Sequence, residues 1–285
     1  MIELSQVNGK LFVQDCPGLS LGAHLKTGGQ KCVWRCAYQG NAYVLKAIMA
    51  NDKAVRRIER EIQIMCKCES PFLPKFGPLR LRQITLDSGE TILYFLEEYI
   101  DGLPLASVHS PLAPLQVVWL CRCIGDALRV LDSHGYVHRD VKPMNIIQKT
   151  SSTYVLIDAG LAVDPDGEQL SSANERWGTT PFFSPEQITL PSRDLDVRSD
   201  LFSLGVTLYQ YATGEHPFIN EEMPGPDIFG KITTLDPPDP RRFAPELPET
   251  LCSLIMTMLE KDRDKRFATP HDMLTELARV ELALS

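Results

Sequence analysis

The residues of this chain whose types and spacing could do chemistry fall into a few groups. His138-Arg139-Asp140-Val141-Lys142-Pro143-Met144-Asn145 sets a carboxylate, an ammonium and a carboxamide close together, and Asp158-Ala159-Gly160 follows. A carboxylate such as Asp140 can orient a hydroxyl and accept its proton. Asn145 and Asp158 offer oxygen atoms, the ligand type preferred by a hard cation such as Mg²⁺. Upstream stand Lys46, in a strand-like Val-Leu-Lys, and Glu61, in a helical segment. Taken singly, each has an ordinary explanation. A strand lysine is usually a solvated edge, a helical glutamate is usually a surface charge, and an aspartate before glycine is often a turn.

The elements that must position these groups change character along the chain. Residues 31–38 and 42–49 read as strands around the turn signal Gln39-Gly40-Asn41. Residues 53–68 read as a helix, because Val55, Ile58, Ile62 and Met65 recur at three- and four-residue steps. Segments 79–86 and 91–99 suggest a second hairpin, and 101–104 (Asp-Gly-Leu-Pro) a short linker. Helical periodicity then dominates over 115–134, 199–213, 250–260 and 270–283. Strand-like pieces are expected at 136–138, 146–147 and 154–157, and an irregular stretch at 220–248. The expectation is an α+β chain of two lobes forming one domain over 1–285, with a small β-rich lobe to about residue 100 and a larger helical lobe from about 101.

The totals narrow the classes of partner. The chain has 285 residues and a net charge of −8. An acidic balance disfavours nucleic acid or an anionic membrane as the main partner, since both require clustered Lys and Arg. The eight cysteines include two C-x-C pairs but no matched C-x-x-C framework, so they read as reduced thiols rather than a zinc site. The opening MIELSQVNGK lacks a basic segment followed by an apolar run, so no signal peptide is expected. No apolar run approaches the roughly 18 residues of a membrane span. A cytoplasmic location is the resulting expectation.

Taken in order, Lys46, Glu61, the 138–145 loop, Asp158-Ala159-Gly160 and Ser184-Pro185-Glu186 resemble the protein kinase family, over roughly residues 20 to 280. The wording of Ser184-Pro185-Glu186-Gln187 and of 198–205 is similar to bacterial Ser/Thr kinases. The resemblance implies the two-lobed kinase fold and transfer of the ATP γ-phosphoryl to Ser or Thr of a protein substrate. Phosphoryl transfer needs positioning and charge neutralisation more than covalent help. Asp140 then acts on the substrate hydroxyl, Lys142 meets the γ-phosphate, Lys46 holds the α- and β-phosphates, and Glu61 pins Lys46. Asn145 and Asp158 hold Mg²⁺, with Mn²⁺ as an alternative. Val33 and Val44 roof the adenine, Ile147 floors it, and the backbones of Glu98 and Ile100 meet its edge. His138 packs in the core and orients the loop. Glu186 and Arg266 form a buried pair, and Asp200 accepts hydrogen bonds from the loop backbone.

The chain departs from the family pattern in several places. Aligned on Val33, the glycine loop keeps only Gly28 in register, beside Gly29, with Lys26 and Lys31 as compensating cations or merely solvated ones. Ala159 replaces the usual phenylalanine, which puts an in–out flip of that ring in doubt. Val44 is larger than the usual alanine. Glu97 falls at the gatekeeper position, where a carboxylate must be solvated or paired. A one-residue slip would put Leu96 there instead. The activation segment, 158–186, contains Ser171 and Ser172 as candidate phosphosites, suggested by Arg139 beside Asp140, and Thr179, expected to hydrogen-bond Asp140 and Lys142. These departures motivate a rival reading, a pseudokinase that binds nucleotide or serves as a scaffold.

Overall fold

A computed structural model describes residues 9–28, 31–159, 180–191, 194–220 and 227–284. Main-chain contacts divide the chain into two compact units: residues 1–66 with 74–100, and residues 67–73 with 101–285. Mixed α and β structure, with the larger sheet in the first unit and most helices in the second, is the α+β class.

The first unit is built on a five-stranded antiparallel sheet in the order β1 (Leu19–Gly28), β2 (Lys31–Tyr38), β3 (Asn41–Met49), β5 (Thr91–Glu98), β4 (Arg82–Thr85). Side chains alternate across a strand, so this sheet has two differently furnished faces. Cys32, Trp34, Cys36, Leu45, Ala47, Ile92, Tyr94 and Leu96 share one core. Ile48, Leu93 and Phe95 share another with Ala54, Ile58 and Met65 of helix α2 (Asp52–Lys67). Asn51 Oδ1 caps that helix by accepting the Ala54 amide at 2.9 Å. Glu61 lies three residues beyond Ile58 and four before Met65, so helical geometry turns it to the sheet.

The first of these cores has a cover that the sequence pattern does not reveal. Helix α1 (Lys10–Asp15) lays Phe12 between Trp34 and Tyr94, with ring centroids 5.4 and 5.1 Å away. Asp15 fastens its end, accepting from Arg82 Nε at 2.8 Å and from the Tyr94 hydroxyl.

In the second unit, α3 (Pro114–Ser133) packs on α5 (Val197–Thr213) and α8 (Pro270–Leu284), and α7 (Glu249–Met258) packs on both α5 and α8. A three-stranded sheet, β6 (Gly102–Pro104), β7 (Ile146–Lys149) and β8 (Tyr154–Leu156), carries the loops of interest. The expected linker at 101–104 is thus largely a strand. Gly102 permits it, since a Cβ there would lie 2.2 Å from the Gln148 carbonyl oxygen. Residues 136–138, expected as a strand, stand outside the named strands. The stretch 220–248, expected to be irregular, contains α6 (Ile228–Thr234), capped by Asp227 accepting the Gly230 amide at 2.9 Å. Seven of the eight free cysteines are buried, which fits reduced thiols. No helix among the described residues is long and apolar enough to cross a membrane.

Because Phe12 is fully buried between two large rings, Phe12→Ala should lower unfolding free energy by about 3–5 kcal/mol. Urea denaturation followed by tryptophan fluorescence, with Trp34 in direct contact, measures the loss.

Candidate active site

In the second unit, the segment 138–145 is held by its backbone. The Asp200 carboxylate, in the first turn of α5, accepts the His138 amide at 2.7 Å and the Arg139 amide at 2.7 Å. The segment 136–138 makes no named strand: the Tyr136 amide returns to the Leu131 carbonyl at 3.0 Å, and the His138 amide goes to Asp200. Gln187 Nε2 donates to the Arg139 carbonyl at 3.0 Å. Arg139 is therefore held at both ends of its peptide unit, and its φ of 67° lies in the left-handed region disfavoured for a side chain with a Cβ. Burial pushes the Asp200 carboxyl up to about 7, against the two amides and the charge of Arg139. His138 is fully buried, and its Nδ1 accepts the Asp140 amide at 3.3 Å.

That clamp sets out the reactive groups. Lys142 Nζ stands 2.8 Å from Asp140 Oδ1. Asn145 Nδ2 donates to Asp140 Oδ2 at 2.7 Å and to the Asp140 carbonyl at 2.9 Å. Burial raises the Asp140 carboxyl above the usual range, opposed by Lys142. With Nδ2 of Asn145 committed to Asp140, Oδ1 is its atom with ligand chemistry, and Asp158 adds a carboxylate. This all-oxygen donor set fits a hard divalent cation. Asp158 also has a positive φ of 68°. Ile147 lies in β7, half-buried and paired with Val155.

In the first unit, Val33, Val44, Lys46 and Glu97 share one face of the sheet, since Val33 pairs with Lys46 and Val44 with Glu97. Leu96 pairs with Leu45 on the opposite face and belongs to the Phe12 core, so the one-residue slip that would exchange it for Glu97 does not occur. Lys46 Nζ lies 2.5 Å from Glu61 Oε1, the expected pair, and 2.5 Å from Glu97 Oε2. Glu97 is therefore paired rather than solvated. Lys31 Nζ stands 3.6 Å from Glu61 Oε1. The Glu98 amide donates to the Lys75 carbonyl at 2.9 Å, and Ile100 is half-buried at the end of this unit. Gly28 ends β1. Gly29, Ser171, Ser172 and Thr179 lie outside the described residues, as does the side chain of Lys26.

Farther along the second unit, Arg266 Nη1 and Nη2 grip Glu186 Oε1 and Oε2 at 2.6 and 2.9 Å, and Ser199 Oγ donates to Glu186 Oε1 at 2.8 Å. Burial would raise the Glu186 carboxyl, but Arg266, the Glu186 amide and Ser199 together hold the group below the usual range. The segment before it is tied down by residues that sequence reasoning missed. Ser203 Oγ donates to the Phe182 carbonyl at 2.7 Å. His216 Nε2 lies 3.2 Å from the Pro181 carbonyl, while its Nδ1 accepts the Phe218 amide at 3.1 Å. Burial lowers His216 to about 4, so the neutral ring makes both bonds at physiological pH. The one legible signal here was Ser184-x-x-Gln187, a capping box at the start of α4 (Pro185–Thr189).

The sequence matches the protein kinase domain over residues 20–277, so this chain belongs to the protein kinase family. Among curated proteins it is similar to the serine/threonine-protein kinase PknB of Mycolicibacterium smegmatis, 31% identical over 249 residues. That alignment covers 83% of this chain and 38% of the relative. It is also similar to a probable serine/threonine-protein kinase of Clostridium perfringens, 28% identical over 81% of this chain and 33% of the relative. A PknB-named kinase of Lactococcus lactis is 27% identical over 82% of this chain and 36% of the relative. The chain thus spans little more than a third of the length of these relatives.

The Glu186–Arg266 pair yields a pH-dependent expectation. Glu186 titrates lower when folded than its unfolded value of about 4.3. Its contribution is therefore complete above that pH and is lost as the pH falls through the folded value. Glu186→Ala, which strands Arg266, should cost about 3–5 kcal/mol at pH 7. Urea titrations of parent and variant at pH 7 and pH 3 should show the difference shrinking in acid.

Proposed function

We propose that this chain transfers the γ-phosphoryl of ATP to Ser or Thr hydroxyls of protein substrates. The observation that carries this reading is the clamped arrangement of Asp140, Lys142 and Asn145. Asp140 orients the incoming hydroxyl and takes its proton, its position fixed by the Asn145 amide and by the backbone bonds to Asp200. Lys142 brings a positive charge beside Asp140, suited to the transferring phosphoryl, and favours Ser/Thr over Tyr in this family. Lys46, steadied by Glu61, is the cation for the α- and β-phosphates. Mg²⁺, or Mn²⁺, held by Asn145 Oδ1 and Asp158, would neutralise charge on the phosphate oxygens.

Val33, Val44 and Ile147 supply apolar surface for the adenine, with Glu98 and Ile100 offering main-chain groups and Gly28-Gly29 the phosphate-facing turn. Residues 1–285 act as one kinase domain in this reading. Thr180–Phe182, pinned by Ser203 and His216, contributes to the platform for a substrate peptide. Ser171 or Ser172 is the proposed phosphosite, with Arg139 as its cationic partner. A cytoplasmic location accords with protein substrates and with the reduced thiols.

Phosphate transfer from γ-labelled ATP with Mg²⁺, to the chain itself and to a basic protein, tests this directly. The parent should label Ser or Thr. Asp140→Asn should lose about 10²–10⁴-fold in rate, the usual span for a general base, and Lys46→Met should also lose transfer. A folded parent that binds ATP but transfers nothing across divalent metals would turn the reading into the pseudokinase alternative.

A further inference from the structure

Lys46 is claimed by two buried carboxylates at once. Glu61 on α2 and Glu97 on β5 each place an oxygen 2.5 Å from its Nζ, and each carboxylate side chain is only 5% exposed. The role assigned to Glu97 below rests on the phosphotransfer reading, in which Lys46 must also meet a polyanionic phosphate. Glu61 alone satisfies the need for an anchor. Glu97 is then a second anion beside the place where phosphate charge must be accepted, on the sheet face it shares with Val33 and Val44.

The charged groups acting on Glu97 in this unit come from three elements. Lys46 on β3 lowers its tendency to hold a proton, Glu61 on α2 raises it, and Lys31 on β2 lowers it. Burial is the largest influence, and it favours the neutral acid. Two carboxylates facing one ammonium leave an excess of negative charge that Lys31, 3.6 Å from Glu61, offsets in part. A phosphate brought to Lys46 removes Glu97's counter-charge and adds a like charge nearby, and both effects disfavour an ionised carboxylate.

We propose that Glu97 sets the pH dependence of nucleotide affinity: it holds Lys46 as a carboxylate in the free protein and takes up a proton when nucleotide phosphate engages Lys46. The ion pair between Lys46 and Glu97 opens, Lys46 donates to phosphate oxygen instead, and the Glu97 carboxylate accepts one proton from solvent. No other bond changes. Since binding consumes a proton, affinity weakens as the pH rises, by up to tenfold per pH unit between the two titration points of Glu97. Glu97 acts through Lys46 and is a positioning residue.

Calorimetric titration of ATP with Mg²⁺ into the parent and into Glu97→Gln, from pH 6 to 9 in buffers of differing ionisation enthalpy, counts the protons taken up. The parent should show an uptake that rises toward one proton per nucleotide within this range, together with a pH-dependent Kd. Glu97→Gln, neutral at every pH and close in shape, should lose most of that uptake, flatten the Kd profile and bind more tightly than the parent at the alkaline end. A parent too weak to measure at pH 9 beside a Glu97→Gln that binds would also support the proposal. Equal proton counts in the two proteins would overturn it while leaving the phosphotransfer reading intact. Two folded proteins that both fail to bind nucleotide at any pH would remove the phosphotransfer reading itself, and this inference with it.

Discussion

A single buried carboxylate decides the shape of the second unit's reactive loop. Asp200 accepts two successive main-chain amides, and the strained Arg139 between Asp200 and Gln187 has no route to relax. Backbone conformations of this kind cost of order 1–3 kcal/mol and persist only where surroundings over-determine them. The cost is met by α5, whose first turn delivers Asp200, and by the capped start of α4, which delivers Gln187. Those two helices are in turn joined at Glu186, where Arg266 and Ser199 complete the buried network. Asp140, Lys142 and Asn145 hold one another within this frame.

The first unit solves a different problem, that of keeping an ammonium inside a sheet–helix sandwich. A lone buried charge would be expelled or neutralised. The helical spacing that puts Glu61 on the buried side of α2, and the register that puts Glu97 beside Lys46, supply the partners. One charge is matched twice over, so the local balance becomes sensitive to any further anion.

Much of this was legible in the residues. The 138–145 loop, Lys46, Glu61 and the Glu186–Arg266 pair are separated by long stretches of chain, yet their order resembles the protein kinase family, and that resemblance implied their pairing. The strands and long helices followed from alternation and from three- and four-residue steps. What was hidden depended on distance in sequence or on competition for amides. Glu97 could not be placed until the β3–β5 register fixed which side chains share a face. Residues 136–138 look like a strand, but Asp200, sixty-odd positions later, takes the His138 amide and the Arg139 amide that follows it. Asp-Gly-Leu-Pro looks like a short linker, and only the close approach of Gln148 to Gly102 shows why glycine there permits pairing. Helix α1 is too short to display a period, and its worth lies in what Phe12 and Asp15 touch.

Helix α1 also separates two ideas of where this unit starts. The shared family pattern starts at residue 20, yet the sheet face lined by Trp34, Tyr94 and Leu96 is closed by residues 12 and 15. Homology therefore marks an ancestral edge, while burial marks a physical one several residues earlier. A version trimmed to the homologous span would keep every residue of the proposed chemistry and still present an apolar sheet face to water, inviting self-association. For this chain the boundary worth respecting is the one drawn by solvent.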